Sequence, residues 1–148
     1  MLTTTLITLF TRDLNKLKQE INAYQNEEHL WISTGTITNS AGNLCLHLVG
    51  NLNHFIGATI GNTDYIRQRD LEFSQKHVPR AELIKQVDDT IAVVESTLKN
   101  LTAADLQTEY KRRVFEDTMT TEYFLVHLTM HLAYHLGQIN YHRRILDV

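Results

Sequence analysis

The residues in this sequence best suited to chemistry are its histidines. Eight occur, at positions 29, 47, 54, 77, 127, 131, 135 and 142. At about 100° of rotation per residue, helical phasing brings His127, His131 and His135 within about 80° of arc. Phe124 and Leu128 share that arc, so the three imidazoles are expected to face inward. Imidazoles four residues apart on a helix lie one above the other and can bind one ion. Neutral imidazole is a good ligand for zinc, nickel, iron or copper. The spacing also admits a metal-free arrangement, in which the rings hydrogen-bond to helix carbonyls or to Tyr134, Gln138 and Asn140. An HxxxH spacing alone does not separate the two.

A third ligand has to come from another helix, and the second helical segment offers His47 and His54. They stand seven residues apart and so share a flank with Asn51. Either could reach the last helix. His29 and His77 fall in predicted loops and are expected to be solvated. Gln138 and His142 lie near His135 on its face and are suited to supporting a ligand from behind.

Other chemistries can be checked against the same text. No glutamate is followed by histidine three residues on, as a ferritin-like di-iron site requires. HExxH, CxxCH and glycine-rich phosphate loops are absent as well. Cys45 would need a base within reach to act as a nucleophile, but His47 projects about 200° away around a helix. It reads instead as a small core residue.

The elements that must position the histidines are helices. The sequence has one proline, Pro79, and little β-branched alternation. Leu6, Phe10, Leu14, Leu17, Ile21 and Tyr24 form one stripe, predicting a helix from about Thr4 to Tyr24. A second begins after the capping types Asn39 and Ser40 and runs to about Gly61, with Leu44, Leu48, Leu52, Phe55 and Ile56 inward. Pro79 suits the first turn of a third, carrying Leu83, Val87, Ile91, Val94 and Leu98 and stopping near Asn100. Thr118 or Thr120 caps the fourth, with Phe124, Leu128, Leu132, Leu136 and Ile139 inward. Residues 29–43, 63–78 and 101–118 read as connections. The expectation is an all-α four-helix bundle, with one domain spanning residues 1–148.

Composition narrows the class. A net charge of −3 with scattered charges leaves no electrostatic footprint for nucleic acid. The basic run Lys111-Arg112-Arg113 is flanked by Glu109, Glu116 and Asp117 and reads as a solvated turn. No run approaches the roughly 20 apolar residues of a membrane span, and the N-terminal residues lack the pattern of a signal peptide. One cysteine cannot form an internal disulfide. A cytoplasmic protein is expected, with neither nucleic acid nor membrane as partner.

The segment His131-Leu132-Ala133-Tyr134-His135-Leu136-Gly137-Gln138-Ile139 resembles the HxxxHxGQ signature in the last helix of the DinB-like (DinB/YfiT-like) metalloenzyme superfamily. Leu46-His47-Leu48-Val49-Gly50-Asn51-Leu52 is similar to that family's second-helix motif, and length and helix order agree along the whole chain. The resemblance implies a four-helix bundle, often a homodimer, holding one divalent metal at a cleft between helices. Carried over residue by residue, the ligands are His47, His131 and His135, with His54 displaced and His127 outside the motif. Some relatives resemble thiol-dependent S-transferases and others metal-dependent hydrolases acting on small molecules. Three functional classes follow: a small-molecule metalloenzyme, a stress-response or interaction bundle with a structural metal, and a metal-free helical interaction protein.

Overall fold

Each long helix forms where the apolar residues recur every three or four positions. The computed structural model describes all 148 residues, and its regular structure is helical. In α1 (Leu2–Ala23), Leu6, Phe10, Leu14, Leu17 and Ile21 are buried along one stripe. That stripe faces α4 (Arg80–Lys99) and α6 (Thr121–Leu146). Leu83, Val87, Val94 and Leu98 of α4 and Phe124, Leu128, Leu132 and Ile139 of α6 complete the contact. The expected helix ends hold closely: Ser40 caps α2 (Ala41–Leu52) by accepting from the Asn43 N–H, and Thr120 caps α6 by accepting from the Tyr123 N–H. Pro79 stands one residue before α4, where its missing N–H costs nothing.

Every residue of α2 is buried, beyond the single apolar stripe that its spacing predicts. The segment expected to be a loop over 63–78 supplies the reason. It contains a short helix, α3 (Arg69–Ser74), that lies against α2. Asn43 fastens it, donating to the carbonyls of Glu72 at 2.9 Å and Gln75 at 2.8 Å. On another side, the 3₁₀ turn Glu27–Trp31 lays the Trp31 ring over Gly42, 2.6 Å from where a Cβ would stand. The connection over 101–118 likewise contains a helix, α5 (Ala103–Gln107), started by a Thr102–Asp105 capping box.

The second helix also departs from expectation at its end. After Leu52 the chain widens into a π-turn, Asn53–Ala58, rather than continuing as α-helix to Gly61. Side chains add to its carbonyls: Tyr110 Oη donates to Phe55 O at 2.6 Å, and Thr59 Oγ1 donates at 2.9 Å to His54 O, which also accepts the Thr59 N–H. Arg112 donates to Thr59 Oγ1 at 2.6 Å, and Arg113 to the carbonyls of Phe115 and Glu116. Lys111, Arg112 and Arg113 are exposed in an irregular segment, as expected for a solvated turn, with Arg112 alone reaching the residue that ends the π-turn. No helix is long and apolar enough to cross a membrane.

Candidate metal centre

Helices α2 and α6 pack side by side, and the histidines meet along that seam. His131 and His135 project from successive turns of α6, and His47 from the middle of α2. His47 Nε2 lies 3.2 Å from His131 Nε2, and His135 Nε2 lies 3.1 Å from the same atom. The three ligand atoms all fall within 4.8 Å of one another. The two short separations match nitrogens sharing one ion at about 2.0–2.1 Å.

The outer nitrogens fix which way the lone pairs point. His47 Nδ1 lies 3.0 Å from Glu72 Oε1, and a carboxylate only accepts, so Nδ1 carries the proton and Nε2 is bare. His135 Nδ1 lies 2.7 Å from Gln138 Oε1 and donates there in the same way, which bares its Nε2. Both lone pairs thus aim at His131 Nε2, which can satisfy one of them at most. His131 Nδ1 is buried without a hydrogen-bond partner. Three ring nitrogens converge with no more than one proton among them, an arrangement that a cation would relieve.

Electrostatics disfavour the charged form of the two α6 histidines. Burial, reinforced by His135, His47, His127 and Arg67, pushes the His131 imidazole down to about 3. Burial also lowers His135, against the hydrogen bond to Gln138 that raises it. Burial alone would raise the Glu72 carboxyl, but hydrogen bonds from His47 and Arg67 leave it below the ordinary carboxylate value. Arg67 grips both its oxygens, Nε to Oε2 and Nη2 to Oε1, each at 2.9 Å. Glu72 is nearly inaccessible and lies in the space above Gly50, where a Cβ would overlap its carboxylate.

The sequence-based readings divide at this point. His47, His131 and His135 come together. His54 does not join them. Seven residues of helix separate it from His47 by about 10 Å along the axis, so only one of the two can lie level with the α6 pair; its ring packs on Phe55 instead. His127, one turn before His131, is sandwiched by Phe115 and Phe124 at centroid distances of 5.0 and 5.8 Å. Gln138 supports His135 as its position suggests, whereas His142 turns to Tyr24 and to the Ile32 carbonyl. His29 is not simply solvated: its Nδ1 pairs with Asp147 at 2.9 Å, and exposed His77 pairs with Glu28. Cys45 is a core residue, its thiol pushed up to about 12 by burial.

Glu72 and Arg67 escaped the sequence reading because both lie in a polar stretch with no helical periodicity. One signal was available. Gly50 sits inside a helix one turn beyond His47, where glycine costs about 1 kcal/mol relative to alanine and so asks for a close approach.

Fold and site together define an all-helical protein whose partly buried three-histidine cluster could hold a metal ion. The chain belongs to the DUF1572 family, a family of proteins of unknown function, whose model matches residues 4–147. None of the curated proteins compared with it matches.

Proposed function

We propose that this protein is a DinB-like metalloprotein, a single domain over residues 1–148 built as a four-helix bundle, that binds one divalent transition metal through His47, His131 and His135. The supporting observation is the convergence of the Nε2 atoms of His47 and His135 on His131 Nε2, each with its proton committed to an outer acceptor. The donor set is three neutral imidazoles, which suits zinc, nickel or iron and disfavours calcium or magnesium.

Three protein ligands leave room in the coordination sphere for a small molecule, so we read the centre as catalytic, of the thiol-dependent S-transferase or hydrolase type, in the cytoplasm. The ion supplies Lewis acidity, lowering the pKa of a water or thiol brought to it. The chain's own part is orientation. Glu72 accepts the His47 Nδ1 proton, fixes the ring's tautomer and makes Nε2 more basic. Arg67 holds Glu72 in that position, and Gln138 performs the equivalent service for His135. Phe73, 4.8 Å from the His47 ring centroid, and Phe115 against His127 provide apolar walls.

Elemental analysis of untagged protein purified without chelator tests the reading, with about one equivalent of zinc, nickel or iron expected for a single site. Absence of metal together with failure to bind added zinc or nickel would overturn it. A loaded centre whose coordination sphere holds no exchangeable water would instead favour a non-catalytic bundle with a structural metal.

A further inference from the structure

Three buried side-chain polar atoms in this chain have no hydrogen-bond partner, and two of them, His131 Nδ1 and Asn51 Oδ1, belong to the packed helices α2 and α6. Asn51 stands one turn beyond His47 on α2, about 40° round the helix from it and toward the inward residues Leu44 and Leu48. The chain runs antiparallel along this seam: His47 meets His131, and further along the Phe55 ring meets Phe124, with centroids 5.1 Å apart. Asn51 falls midway between His47 and Phe55 and is therefore level with the turn of α6 from His127 to His131. It is only 6% exposed. An unpaired acceptor at such a position is a standing cost that an apolar side chain would avoid.

The two orphaned atoms suit each other in one protonation state only. While His131 Nε2 carries the ring's proton and offers it to the lone pair of His47 or His135, Nδ1 is itself an acceptor and has nothing to give a carboxamide oxygen. With Nε2 committed to a cation, the proton must sit on Nδ1, and a donor then stands in the same seam as an unused acceptor. Imidazoles that hold a metal almost always pass their outer N–H to such an acceptor. His47 has Glu72 and His135 has Gln138 for this purpose, whereas His131 has none. Taking the metal centre proposed above as given, we infer that Asn51 is the positioning residue for His131. Its Oδ1 accepts the Nδ1 proton, directly or through one water, and holds the ring with Nε2 turned to His47 and His135. Each ring then has its support from a different place: α3 for His47, the next turn of α6 for His135, and α2 for His131. Because the bond exists only in the tautomer that binds metal, Asn51 favours the loaded protein and adds nothing to the empty fold.

Proton–nitrogen NMR of the zinc-loaded chain carrying isotope-labelled histidine should show one Nδ1–H for each ligand ring. Asn51→Leu, which keeps the volume and removes the acceptor, should move the His131 Nδ1–H upfield and speed its exchange with water, leaving those of His47 and His135 in place. Zinc affinity, by competition with a chromogenic chelator, should fall about 10–100-fold. Asn51→Asp keeps the acceptor and should bind zinc at least as tightly as the wild type. In metal-free protein the urea midpoint of Asn51→Leu should equal or exceed that of the wild type, since an unpaired buried acceptor has been removed. A lower midpoint would mark Asn51 as a packing residue and overturn the inference. So would unchanged zinc affinity or an unmoved His131 signal in Asn51→Leu, or an Asn51→Asp variant that loses as much affinity as Asn51→Leu. A wild type that binds no zinc would overturn the metal centre itself, and the role of Asn51 with it; a wild type that binds zinc no better than Asn51→Leu would overturn the role of Asn51 alone.

Discussion

His131 and His142 stand on the same helix, eleven residues apart, and end in opposite situations. His142 is almost wholly buried and both of its nitrogens are satisfied. Nε2 donates to the Ile32 carbonyl at 2.8 Å, and Nδ1 accepts from the Tyr24 hydroxyl at 2.6 Å. His131 has one nitrogen with no partner and the other facing two lone pairs. A buried histidine with a role in packing looks like the first; one that awaits a ligand looks like the second. The two readings that the HxxxH spacing leaves open are thus both realised in one helix, at different positions. The criterion that separates them is proton accounting, because burial lowers the imidazole pKa at both sites.

The comparison can be broken most sharply by removing the rings. His131→Ala is expected to reduce metal content from about one equivalent to near zero with the fold retained, as are His47→Ala and His135→Ala, measured by elemental analysis beside circular dichroism. His142→Ala should keep the metal. If it loses metal as completely as His131→Ala does, the distinction between the two positions fails.

A smaller effect is expected one step behind the ligands. Glu72→Gln, which weakens the hold on His47, should lower zinc affinity about 10–100-fold in competition with a chromogenic chelator. Gly50→Ala should act in the same direction by displacing that carboxylate. Unchanged affinity in both variants would show that His47 needs no support from α3.

At His142 the expected loss is in stability. Removing the ring leaves the Tyr24 hydroxyl and the Ile32 carbonyl unpaired in a buried position, at a cost of about 2 kcal/mol, read from urea unfolding.

The smallest effect concerns acid. Burial holds His142 below its ordinary value of 6.5, against the hydrogen bond to Ile32 that raises it. Below pH 6.5 the unfolded chain therefore takes up a proton that the folded chain resists, and stability falls as the pH drops. In metal-free protein the urea midpoint should be lower at pH 5 than at pH 7. The drop should shrink in His142→Gln without vanishing, because His131 and His135 are shifted the same way. A midpoint that rises on acidification would contradict the sign.

Much of this was legible in the chain itself. The four long helices, the caps Ser40 and Thr120 and the inward turn of His131 and His135 follow from apolar spacing and local hydrogen bonding, which depend on neighbours three or four residues away. A glycine inside α2 marked a close approach without saying what approached. The resemblance then selected His47 over His54, and the geometry places His47 at the right level.

What the tertiary structure decided is what residues distant in sequence do to one another. Spacing put four histidines on α6 and could not distribute their roles, since each role depends on what faces the ring from α2, α3 or the N-terminal segment. Glu72 lies 25 residues from His47, and Tyr24 lies 118 from His142. No periodic pattern encodes such separations. The sequence determined which side chains turn inward; the packing of α2 and α3 against α6 determined which of them are left with lone pairs aimed at a common point.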